Sequence, residues 1–294
     1  MLDILVVGSL HYDIVIAAPH LPAVDETVMG GPVQYVCGGK GGNQAISAGR
    51  HGASVAFAGA VGDDPSGTAL LANLSDAGVN TEQVQSIPGA SGMSVAIVDA
   101  QGDYGAVVAS GANQRIEADA IAVPVDTSCV VLQNEIPASV NLSVAQQAKD
   151  ATVILNAAPM RILSPTLLNC VDILIVNRVE AEALFGMPIA SQADAARALA
   201  AHELDVARII VTLGSDGLVY CENGQVKFVP APKVETVSSH GAGDAFVGAL
   251  ACELARGSEL GISLRYASAA AAVLVSTPVC ARSAITRESV EQLL

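Results

Sequence analysis

The sequence predicts a doubly wound α/β fold, a mostly parallel central sheet flanked by helices, with a small β-sheet lid. Three observations predict it. Short apolar, β-rich runs alternate with amphipathic or Ala-rich stretches. Those runs are hydrophobic almost without interruption, as strands covered on both faces are, and the lengths between them suit the helical crossovers of a parallel sheet. Two segments, about 13–37 and 91–110, break the rhythm with apolar–polar alternation, which predicts a small separate sheet with one solvated face. The 294 residues, 51% hydrophobic, suffice for a single domain over 1–294 with the small sheet inserted in it.

The elements follow in order. "ILVVG" opens the chain as a buried strand, and "DETVMGGPVQYVC" lies in the first alternating segment. "GGKGGNQA", Gly38 to Ala45, reads as a glycine-rich turn feeding the helix-like "ISAGRHG". "SVAFAGAVG" is the next buried strand, and "GMSVAIVDAQGDYGAVVAS" predicts a hairpin turning at Gly102-Asp103. "SCVVLQ", "ATVILN", "VDILIVN" and "ARIIVTLG" supply four more buried strands. "SSHGAGDAFVGAL", residues 238–250, is a second glycine-rich turn running into a helix, and "SAAAAVLVS" at 268–276 is a tightly packed one.

Lys plus Arg number 14 against 29 Asp plus Glu, a net charge of −15, which argues against nucleic acid or an anionic membrane as partner. The six cysteines show no C-x-x-C pair and read as small buried hydrophobes in a reducing compartment. "MLDILVVGS" lacks a basic n-region and is too short in apolar length for a signal peptide or membrane span, so a cytoplasmic protein is expected.

No G-x-x-x-x-G-K-[ST] occurs, and Gly8 stands alone after the first strand, so neither a Walker loop nor a dinucleotide fingerprint is present. The two glycine-rich turns remain. First-turn helix amides lack internal partners and sit at the positive end of the helix dipole, so they can hold a phosphate or a developing anion. Gly241, Ala242 and Gly243 leave room for close approach, and Asp244 beside them is placed to accept a proton from a hydroxyl nucleophile. Taken alone, Asp244 is equally an N-cap, Asn43 a capping amide, Asp13 and Glu135 solvated loop acids, and Lys40 an exposed loop charge.

"GGKGGNQA" and "HGAGDAFVGAL", in this order and separation, resemble the two signatures of the ribokinase-like, or PfkB, family of carbohydrate and nucleoside kinases. "GSLHYDIV", "PAVDETV", "GAVGDDPSG", "LQNEIP", "NRVEAEALFG" and "TLGSDG" resemble further family stretches in family order. The pattern is most similar to the ribokinase branch. The resemblance implies an ATP-dependent carbohydrate kinase that phosphorylates a hydroxymethyl group of a small sugar, ribose first. A nucleoside, another pentose or a ketohexose is the alternative substrate, and a non-catalytic sugar-binding regulator the alternative class.

By that resemblance Asp244 is the catalytic base and Gly241, Ala242 and Gly243 form the anion hole. His11, Asp13, Gly39, Lys40, Asn43 and Glu135 hold the sugar. Asn177, Thr212, Gly214 and Ser268 meet the nucleotide, and Asn177 with Glu180 orders Mg²⁺. A homodimer formed through the lid is also implied. Two departures stand out. His11 replaces an asparagine of the ribokinase branch. Ser238-Ser239-His240 replaces a stretch whose acid helps bind an activating monovalent cation, and "STPVCARS" puts Val279 where glycine is frequent. These argue against a K⁺ requirement, with His240 the candidate stand-in for the ion.

Overall fold

The computed structural model describes residues 2–99, 101 and 104–294. Its central sheet is built from β1 (Ile4–Val7), β4 (Val55–Gly62), β5 (Asn80–Ile87), β8 (Cys129–Gln133), β9 (Thr152–Asn156), β10 (Ile173–Asn177), β11 (Arg208–Thr212), β12 (Leu218–Glu222) and β13 (Gln225–Val229). Their spatial order is β13-β12-β11-β10-β9-β8-β1-β4-β5. All pairs are parallel except β11–β12 and β12–β13, which close one edge as a meander.

The helices are α1 (Lys40–Arg50), α2 (Pro65–Asp76), α3 (Ala138–Gln147), α4 (Pro165–Leu168), α5 (Arg178–Phe185), α6 (Gln192–Ala201), α7 (Ala242–Ala255), α8 (Leu260–Ser276) and α9 (Arg287–Glu291). Successive strand side chains point to opposite faces, so each apolar run feeds two cores at once. Ile4, Val6, Phe57, Val131 and Ile175 pack on one face with α1, α7 and α8. Leu5, Val7, Leu132, Leu155 and Val176 pack on the other with α3, α4 and α6. This two-sided burial is why the strands carry unbroken hydrophobic sequence.

A second sheet, in the order β3-β2-β6-β7, is made of β2 (His11–Ala17), β3 (Val33–Gly38), β6 (Met93–Val98) and β7 (Tyr104–Ala109). The two alternating segments supply it, although residues 18–32 hold neither helix nor strand. The hairpin turn expected at Gly102-Asp103 lies outside the described residues. Alternation predicted one solvated face, whereas apolar side chains are exposed on both. Tyr35, Val95 and Val107 share one cross-strand row, while Val36 and Val108 belong to the opposite face. Tyr12 and Cys37 pack against the core, but neither face of the sheet is fully covered by it.

Cys129, Cys221 and Cys252 are buried as expected, but Cys280 is exposed because it falls in the short 3-10 turn Val279–Ala284 rather than in a strand or packed helix. Among the described residues no helix is long and apolar enough to cross a membrane.

Candidate active site

β1 lies between β4 and β8, so the chain fills one side of the sheet and then returns to fill the other. In an open α/β sheet such a reversal leaves a crevice beyond the carboxyl ends of the strands. Ser9 and His11 follow β1 and Glu135 follows β8. Asn177 ends β10 opposite Thr212, which ends β11. These residues therefore reach one edge of the sheet from several crossovers.

"GGKGG" is not a turn. The helix starts at Lys40, six residues earlier than the sequence pattern indicated, because its glycines let α1 lie directly on the loop after β1. A Cβ on Gly39, whose φ is +91°, would sit 2.7 Å from the Ser9 carbonyl oxygen, and one on Gly41 would sit 2.7 Å from the Ser9 nitrogen. The close approach these glycines permit is thus to the chain's own backbone. It brings the Lys40 amide within 2.9 Å of Glu135 Oε2, to which it donates, and Ser9 Oγ donates to the same oxygen.

Asn43 and Gln44 lie inside α1, so Asn43 caps nothing. Its Nδ2 donates to Asp244 Oδ2 at 3.0 Å, and Gln44 Nε2 donates to Asp244 Oδ1 at 3.0 Å. Gln133 Nε2 donates to Gln44 Oε1 at 2.8 Å, which fixes the Gln44 amide with its nitrogen toward the carboxylate. The α1–α7 crossing makes this possible. Ser47 Oγ donates to the Ala245 carbonyl at 3.0 Å, and a Cβ on Gly248 would lie 2.5 Å from the Gln44 carbonyl oxygen.

Asp244 is not the N-cap of α7. Gly241 is, in the left-handed conformation with φ 81° and with no side-chain cap. The carboxylate keeps a solvent-facing window but is otherwise surrounded by protein, and burial raises its pKa above the ordinary aspartate value. Lys40, Asn43 and Gln44 act in the opposite sense without cancelling that effect. Ala242 donates its amide to the Ser239 carbonyl at 3.2 Å, so it is already engaged. Gly243 lies one residue further into the first turn, where no intrahelical acceptor exists, and a Cβ there would meet nothing within 4 Å.

Asp13 faces the same edge from the small sheet. Its Oδ1 accepts from Ser94 Oγ, and the absence of a side chain on Gly38 leaves space for Oδ2. His11 is 6% exposed; its Nδ1 lies 3.9 Å from Glu135 Oε2, and its Nε2 finds no partner among the described residues. A buried donor or acceptor left this way is expensive unless a ligand meets it.

Beyond the end of β10, Asn177 and Glu180 form a reciprocal capping box at the start of α5. Asn177 Oδ1 accepts from the Glu180 amide at 2.9 Å, and Glu180 Oε2 accepts from the Asn177 amide at 2.8 Å. Both side chains thus serve first as caps, with the second carboxylate oxygen of Glu180 unpartnered among the described residues. Burial raises the Glu180 pKa, and a desolvated carboxylate with a free oxygen suits a nearby cation; Lys40 already acts on it in that sense. Thr212 Oγ1 donates to the Val176 carbonyl at 3.4 Å, and Gly214, φ +63°, has open space where a side chain would be. Ser268 stands midway along α8, partly exposed, with no hydrogen bond to Thr212 or Gly214.

Sequence reasoning missed Ser9, Gln44, Ser94 and Gln133, which hold or orient the predicted acids. Gln44 was within reach, since it follows Asn43 on a helix whose first turns carry almost no side chains. Ser94 and Gln133 give no local signal, because their partners are 81 and 89 residues away.

The chain is 36% identical to the ribokinase of Bacillus subtilis over 300 residues, covering all of both proteins. The ribokinase of Arabidopsis thaliana, solved in complex with ribose and ATP, superposes with a TM-score of 0.91 at 31% identity, over 100% of this chain and 99% of that one. The ribokinase of Thermotoga maritima superposes with a TM-score of 0.89 at 30% identity, again over 100% and 99%. Because the model of the pfkB family carbohydrate kinases matches residues 1–287, a span that contains the whole crevice, the chain belongs to that family.

Proposed function

We propose that the protein phosphorylates the hydroxymethyl group of a small sugar with ATP as donor, converting ribose to ribose 5-phosphate. The observation that carries this reading is Asp244, a carboxylate oriented by two amides, raised in pKa by burial and set in the first turn of α7 beside the open Gly243 amide. A base works best with a pKa moved toward the working pH. Asp244 takes the hydroxyl proton as the sugar oxygen bonds to the γ-phosphorus, the bond from that phosphorus to the β,γ-bridging oxygen breaks, and ADP leaves. The Gly241–Gly243 turn faces the transferring group, with Gly243 supplying the amide the turn leaves free.

Asp13, Glu135 and the backbone at Gly39 grip the sugar hydroxyls, with the Lys40 amide orienting Glu135, and the His11 Nε2 takes one more. Asn177 and Glu180 would hold Mg²⁺ through its waters, as that ion prefers, and when bound it neutralises phosphate charge. Thr212 and Gly214 meet the nucleotide, with Ser268 the least supported member of the set.

The small sheet acts as the lid. Asp13, Val36, Ser94 and Val108 form one cross-strand row, so the carboxylate that meets the sugar shares its face with uncovered valines. A second copy of the chain placed on that face would cover both, which supports a homodimer and a water-excluding closure. The test is ADP release over a panel of ribose, deoxyribose, ketohexoses and nucleosides. Ribose is expected to stimulate turnover most. Preference for a nucleoside would move the assignment to the alternative substrate, and sugar binding without turnover by any of them would favour the regulator.

A further inference from the structure

The loop entering α7 is held by a side chain from the far end of the chain. Arg282, in the 3-10 turn Val279–Ala284, points its guanidinium back at that loop. Its Nη2 donates to the Ser238 carbonyl at 2.7 Å, its Nη1 to the His240 carbonyl at 2.8 Å and its Nε to the Thr277 carbonyl at 3.2 Å. The opposite side of the loop is fixed as well, since the Val237 and Ser238 amides both donate to the Val275 carbonyl. The next residue after His240 is Gly241, whose left-handed conformation sets the direction in which the first amides of α7 point.

Converging main-chain carbonyls present partial negative charge and call for a cation. A free monovalent ion would need these oxygens and, by the family resemblance, an acid where Ser238 stands. Here the guanidinium already uses them, so the residues do not fit such an ion. Nor does the His240 imidazole replace it, for that side chain is exposed and only its carbonyl takes part. Arginine suits the place, with a planar fork of donors and a charge that persists at any working pH.

We propose that Arg282 is a tethered cation that positions the loop before the anion hole, so that phosphoryl transfer needs no free monovalent ion. It is a positioning residue that acts through residues 238–241 on the first amides of α7, and it rests on the kinase reading above.

The first arm titrates wild-type protein with KCl against choline chloride at constant ionic strength. Both kcat and the calorimetric affinity for the ATP analogue AMP-PNP with Mg²⁺ should change by less than about threefold, and a larger activation in either overturns the proposal. The second arm uses Arg282→Ala and Arg282→Lys. Arg282→Ala should lose about ten- to a hundredfold in kcat, the worth of one or two charge-assisted hydrogen bonds, with the sugar KM within about twofold. Added methylguanidine or K⁺ should restore part of the loss, and Arg282→Lys should fall between wild type and Arg282→Ala. An unchanged kcat in Arg282→Ala, or a loss that neither cation restores in a normally melting variant, overturns it. If the variants do not fold, the wild-type titration decides alone. Wild type without turnover on any sugar would remove the kinase reading, whereas the calorimetric arm still judges Arg282.

Discussion

At Asp244 the demands of the proposed reaction oppose those of folding. Burial raises its pKa in the folded chain, so between the ordinary aspartate value of about 4 and that raised value the folded state binds the proton that the unfolded state has lost. Stability therefore falls as pH rises through that window, and wherever the carboxylate ionises the folded chain carries a desolvated charge. Asp244→Asn should melt at a higher temperature than wild type at pH 7.5, because Gln44 can still donate to the remaining oxygen while Asn43 turns its amide over to accept. The same variant should lose about 10²- to 10⁴-fold in kcat, the usual contribution of a general base. A lower melting temperature, or near-normal kcat, would contradict the assignment. The acid limb of the wild-type kcat profile should also lie above the ordinary aspartate range. Gly243 permits a complementary experiment. Gly243→Ala meets no neighbour and improves helix propensity by up to about 1 kcal/mol, so melting should hold or rise. Its methyl group would occupy the space in front of the amide, so ATP kcat/KM should fall while calorimetric sugar binding is unchanged.

Among elements, the α1–α7 crossing matters most, since it sets the distance from Asn43 and Gln44 to Asp244. Gly248→Ala gains about 1 kcal/mol in helix propensity but drives a methyl into the Gln44 carbonyl, where overpacking costs about 1–3 kcal/mol. The obstacle includes backbone, so the clash wins. Urea unfolding should show net destabilisation, and kcat should drop in the folded fraction. A neutral result would mean that the crossing is looser than its geometry indicates. This element also marks how far the sequence could be read. Strands buried on both faces announced themselves, as "ILVVG" and "VDILIVN" did, because composition alone records two-sided burial. The start of α1 was misplaced, since "GGKGG" has poor helix propensity and becomes helical only by packing on Ser9. The Gln133–Gln44–Asp244 chain of amides depends on tertiary distances that no local pattern encodes. Arg282 stood in a stretch already singled out, but only the fold reveals that its side chain returns to Ser238 and His240.

For the whole molecule, the uncovered valines of the small sheet predict self-association. Val108, 60% exposed, lies on the face that carries Asp13, away from any core. Val108→Glu should convert a dimer at micromolar concentration into a monomer by light scattering and raise the sugar KM, with little change in melting temperature. Monomeric wild type under the same conditions would remove the dimer.

The pairing of Asn43 with Asp244 spans 201 residues, and this fixes a schedule for the protein's birth. At roughly 5–20 residues per second, a ribosome needs about 10–40 s to pass from one to the other. Throughout that interval the nascent chain carries part of its proposed sugar-binding set and not the proposed base. A product of premature termination before α7 therefore lacks both Asp244 and the Gly241–Gly243 turn, the two parts on which the proposed phosphoryl transfer rests.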